Sequence, residues 1–192
     1  MLSYKYIDSF SWLQGSLNSE KMNLKNADWH LFQIGRGLSI RLCNIQQVMN
    51  RTMYGWANPL SNGITNETGY TYQEAELYCN LLSALIGYIE IEEKRLLVDV
   101  EKISTEIKEL EYEIRLVHDV KIKHKLEVDL MEQQKLLIQA QKIVLDFVMN
   151  LAEFRLTVEN KEVSVHCKIQ PVINLLKEKT LLENFKFTEM NT

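Results

Sequence analysis

Glycine and proline are scarce, 7 and 2 in 192 residues, and neither occurs between Gly87 and Pro171. That excludes a collagen-like, Pro-rich or Gly/Ser-linker chain and argues against a sandwich of many short strands. No stretch of about 18 consecutive apolar residues occurs, so no membrane span is expected. Residues 1–20 lack a basic segment followed by an apolar run, so no signal peptide is expected either. The three cysteines (Cys43, Cys79, Cys167) are far apart and form no Cys-x-x-Cys, which reads as buried thiols in a cytoplasmic protein and not as a disulfide framework.

The four histidines (His30, His118, His124, His166) form no Glu-x-x-His or His-x-x-x-His pair. Neither a zinc pattern nor a di-metal bundle pattern is present, and no metal or cofactor is expected. His166 and Cys167 are adjacent and would face opposite sides of a strand, which argues against a catalytic dyad. Gly35-Arg36-Gly37 is too short for a phosphate-binding fingerprint and reads as a turn. The net charge is −4, and no polybasic tail exists, so composition does not imply nonspecific nucleic-acid binding.

What the chain has in quantity is helical periodicity. Leu82, Ile86, Ile89, Leu96, Val100, Ile103, Ile107, Leu110, Ile114 and Val117 recur at spacings of four and three, in a heptad frame with Val100, Ile107 and Ile114 at a and Ile103, Leu110 and Val117 at d. A second series runs Leu126, Leu130, Leu137, Ala140, Val144, Phe147, Leu151, Phe154. The nine-residue step from Val117 to Leu126 turns about 900°, which puts the second stripe on the opposite face of a continuous rod. A reversal near residues 118–125, giving two long antiparallel helices, removes the conflict. Basic residues Arg115 to Lys125 suit a helix C-terminus, and Asp119 suits the N-cap of a new helix. Gly87 is a place for the first helix to fray or bend.

The remaining segments differ in character. Residues 1–70 hold all three tryptophans and read as an aromatic-rich helical head and loop, with helices around 4–13, 28–34 and 38–54. After the hairpin and coiled-coil-like segment 71–158, a C-terminal piece (159–192) is expected to pack on the bundle. Alternation of Leu156 and Val158, then Val163, Val165, Cys167 and Ile169, with polar neighbours fits a short β-hairpin near 154–169; a helix continuing into a loop is the competing reading. Pro171 is placed to open a last helix through Leu182.

The fold class expected is therefore mainly α: a long antiparallel hairpin forming a helical bundle by dimerisation, with a small head. In the second helix, Leu136, Ile143 and Val148 widen the apolar face beyond a two-helix seam, which calls for further helices. The self-association seam is assigned to Val100, Ile103, Ile107, Leu110, Ile114, Leu130, Leu137, Val144, Phe147 and Leu151. The functional expectation is a non-catalytic, homo-oligomeric interaction or adaptor protein that binds and modulates a larger protein, with no membrane partner. The alternative is a nucleic-acid-associated regulator or accessory subunit, contacting DNA or RNA through Arg36, Arg41 and Arg51 in a helix-turn-helix-like stretch or through Lys121, Lys123 and Lys125 at the hairpin tip.

Overall fold

The computed structural model describes residues 70–181 and 184–190, together with Arg36, 38–40, 42–43 and 45–46. The described chain is mainly helical, with two long helices packed together and a small three-stranded sheet. The expected helices at 4–13 and 28–34, and the loop leading to residue 70, lie outside the described residues. Within the expected helix 38–54 the described positions are helical as far as Gln46. Arg36 is helical too, so it does not sit in a turn as expected: Leu38, two residues on, is anchored in the core, and such packing overrides a local turn preference.

Helix α1 spans Tyr72–Leu116 and α2 spans Val120–Ala152. α1 starts ten residues ahead of the apolar series read from the sequence. Its start is a capping box: the Thr71 hydroxyl accepts the Glu74 amide, and the Glu74 carboxylate accepts the Thr71 amide. This satisfies two of the amides a helix start leaves unpaired. α1 passes through Gly87 without interruption.

The reversal is confined to Val117, His118 and Asp119, the front edge of the expected region. A turn without Gly, Asn or Pro is feasible because Val117 (φ −81°, ψ 126°) and Asp119 (φ −73°, ψ 119°) are merely extended, a conformation any L-residue adopts. Asp119 caps α2, its carboxylate accepting the amides of Lys121 (2.8 Å) and Ile122 (3.3 Å).

After α2 the chain forms the β-hairpin, not a continued helix. β1 (Arg155–Glu159) pairs antiparallel with β2 (Glu162–His166). Its two-residue turn, Asn160-Lys161, has φ 53° and 63°, the positive values a type I′ turn requires. Leu156, Val158, Val163 and Val165 all face inward and are buried. Helix α3 (Gln170–Lys179) follows, with Pro171 in its first turn. It stops before the expected Leu182: the Thr180 amide bonds back to Lys177 and its hydroxyl to the Leu176 carbonyl, closing the last turn. β3 (Lys186–Glu189) then pairs parallel with β2, giving the order β1-β2-β3. A parallel partner needs a crossover, and α3 is that crossover.

One core gathers at the base of the hairpin. It joins the first half of α1 (Ala75, Leu77, Leu81, Leu82, Leu85), the end of α2 (Val144, Val148, Leu151), the inner sheet face, Val172 and Leu176 of α3, and Leu38. The Tyr88 and Phe147 rings meet across the two long helices, 6.5 Å apart. Beyond Val100, α1 continues to Leu116 for about 24 Å at 1.5 Å per residue, and Ile107 is the one buried residue of that stretch. The distal half of the hairpin is thus an arm projecting from a packed base.

Candidate interaction surface

The predicted seam residues are all buried or half-buried within the single chain, Val144, Phe147 and Leu151 at the base and the others along the arm. Val100, Val144, Phe147 and Leu151 are buried within one core cluster, and Ile107 is buried as well. Ile103, Leu110, Ile114, Leu130 and Leu137 are half-buried, as expected where two helices cover each other on one side only. Gln133 belongs to the same face, and its Oε1 is buried without a hydrogen-bond partner.

A second apolar set faces outward. On α2, Met131 and Ile138 are seven residues apart and 61% and 65% exposed; Leu136 and Ile143, also seven apart, are exposed on the other flank of the inner stripe. On α1, Ile91, Val98 and Tyr112 are exposed with the same seven-residue step through Thr105. Sevenfold spacing keeps each row on one side of its helix. The widening read from Leu136 and Ile143 is therefore a real surface feature, while Val148, read with them, is fully buried against the base.

The tip is different chemistry. Arg115, His118, Lys121, Lys123, His124 and Lys125 are all exposed. Only Arg115 falls in the last turn of α1. The lysines stand in the first turns of α2, so the expectation that the whole basic run complements the dipole of a helix end holds for Arg115 alone. The start of α2 has no acidic residue in its first turn, and cations there oppose the helix dipole. Arg36 is exposed, whereas Arg41 and Arg51 lie outside the described residues.

Among the described residues no group of three His, Cys, Asp or Glu is placed to share a metal ion, and no helix is long and apolar enough to cross a membrane. A depression of about 310 Å³ is lined by Thr105, Lys108, Glu109, Tyr112 and Glu113, all from one helix, so it lacks the enclosure of a ligand pocket. Burial pushes the Cys79 thiol up to about 11, with Glu76 adding to the effect, and burial also raises Cys167; both shifts favour the thiol over the reactive thiolate.

Sequence reasoning missed Glu74. Its carboxylate, nearly inaccessible to solvent, accepts the Lys161 amide (3.3 Å) as well as the Thr71 amide (2.8 Å), so it ties the start of α1 to the turn of the β-hairpin. Burial pushes this carboxyl up, but hydrogen bonds from Thr71, Lys161 and Asn160 outweigh it and hold the group below its ordinary value. The local signal was available as Thr71-x-x-Glu74; the link to Lys161 was not.

The chain matches no protein family, no curated protein and no solved structure.

Proposed function

We propose that the protein is a non-catalytic interaction module that self-associates through its helical arm and presents its remaining surfaces to a larger protein partner. The observation that carries this is the row of exposed apolar side chains on α2 outside its contact with α1. Met131, Leu136, Ile138 and Ile143 flank the inner stripe on both sides, so a second arm laid against the first would extend the same heptad packing into a four-helix bundle. Covering them would also bury the half-exposed Ile103, Leu110, Ile114, Leu130 and Leu137. A closed dimer of this kind is isologous, using the same patch on both copies. All three cysteines are thiols, in keeping with the cytoplasmic setting included in this proposal.

Sedimentation velocity at micromolar concentration tests it. The wild type is expected to run as a dimer, and Met131→Glu with Ile138→Glu as a folded monomer, because both side chains are exposed in the single chain. A monomeric wild type would overturn the proposal.

A further inference from the structure

The tip combines cations and exposed apolar side chains in a way that the stability of the hairpin does not explain. Between Ile114 and Leu126 there are four Lys or Arg and a single acid, Asp119, whose carboxylate is committed to capping α2. Arg115, Lys121, Lys123 and Lys125 enter no ion pair among the described residues. Lys121 and Lys123 stand in the first turn of α2, where a cation opposes the helix dipole. Interleaved with them, Leu116, Val120 and Ile122 are 59%, 79% and 53% exposed, at the end of an arm where the core cannot reach. Local choices that work against the fold mark a functional constraint.

We propose that the hairpin tip is a peripheral contact for an anionic bilayer surface. Leu116, Val120 and Ile122 enter the boundary between headgroups and acyl chains, while Arg115, Lys121, Lys123 and Lys125 engage lipid phosphates. This is the division of labour that interfacial segments use, and it requires no helix to span the membrane. Two features favour lipid over other anions. Residues 115–125 contain no Ser, Thr, Asn or Gln, which leaves Arg and Lys as the main side chains for reading base edges, and a phosphate backbone would leave the tip's apolar groups in water. The tip is also a convex end two helices wide, whereas a specific protein interface takes about 800 Å² per partner with matched shape. A fluid bilayer demands no such match. The inference does not depend on self-association.

Co-sedimentation of the full chain with phosphatidylcholine vesicles, with and without about one-third phosphatidylserine, tests it. Binding is expected only to the anionic vesicles and should weaken with salt. At about fivefold per cation, Lys121→Gln/Lys123→Gln/Lys125→Gln should lower partitioning by roughly 100-fold. Lys94→Gln/Lys102→Gln/Lys108→Gln removes the same charge from exposed positions on α1 and should cost far less. Val120→Ser with Ile122→Ser should weaken binding at unchanged charge, with circular dichroism checking that each variant remains helical. Absence of binding to anionic vesicles overturns the proposal. So does equal loss in the two lysine triples, which would show an effect of net charge alone. Full binding by the Val120/Ile122 variant, with a tip-dependent mobility shift of duplex DNA, would assign the tip to nucleic acid instead.

Discussion

Replacing Glu74 probes the joint between the helical arm and the sheet. Glu74→Ala removes the acceptor of two backbone amides, Thr71 at 2.8 Å and Lys161 at 3.3 Å. Hydrogen bonds to a charged acceptor contribute roughly 1.5–3 kcal/mol when short, and a longer one about 1 kcal/mol. Release of the buried carboxylate from its desolvation penalty offsets part of this, leaving an expected loss of about 2–3 kcal/mol. Glu74→Gln keeps one acceptor oxygen and should lose about half as much. Because the folded carboxyl lies below its ordinary value, its stabilisation is complete above the unfolded pKa, near 4.3, and fades as pH falls through the folded value. Urea unfolding of wild type and Glu74→Gln at pH 7 and near pH 3 reads both parts: the gap between the two should narrow in acid. A gap of the same size at both pH values, or one under about 0.5 kcal/mol at pH 7, would refute the joint.

Two further outcomes follow from local geometry. Gly87 sits in mid-helix with nothing within 4 Å of an added Cβ, so Gly87→Ala should stabilise the protein by about 0.5–1 kcal/mol in thermal or urea unfolding; destabilisation would mean that the helix bends there. With the Cys79 thiol near 11 and Cys167 also raised, iodoacetamide at pH 8 should label exposed Cys43 first and leave Cys79 unmodified until urea unfolds the chain; rapid native labelling of Cys79 would place it outside the core.

The readable parts of the fold were those written in local periodicity. The two apolar stripes and the phase break between Val117 and Leu126 specify two helices and a reversal, because side-chain direction along a helix follows from residue spacing alone. The alternation of Leu156, Val158, Val163 and Val165 around Asn160-Lys161 is the equivalent evidence for the β-hairpin. The absence of Gly and Pro was a poor guide to the reversal, since extended Val117 and Asp119 turn the chain without positive φ. α1 begins at Tyr72, next to the expected bound of 71, although the apolar series starts only at Leu82, because the buried face widens where the sheet, α3 and Leu38 all cover it and hide the stripe's narrow period. On the candidate surface, the exposed positions Leu136 and Ile143 were legible as a widened face, whereas the exposure of Ile91, Val98 and Tyr112 was not, since one apolar residue per heptad gives little periodic signal.

Residue order thus decides the elements: which stretches coil, which alternate, and where Thr71 and Asp119 begin helices. Assembly decides what no spacing encodes. β3 lies parallel to β2 only because α3 carries the chain back across the base. Glu74 reaches Lys161 only once the helix start and the β-turn are brought together. The lysines of the tip acquire their meaning from a turn that ends at Asp119: had the turn come a few residues later they would have complemented the end of α1, but here Lys121 and Lys123 oppose the start of α2. Periodicity is a property of neighbours along the chain, while burial, pairing and the sign of a dipole at a given charge depend on where the chain returns.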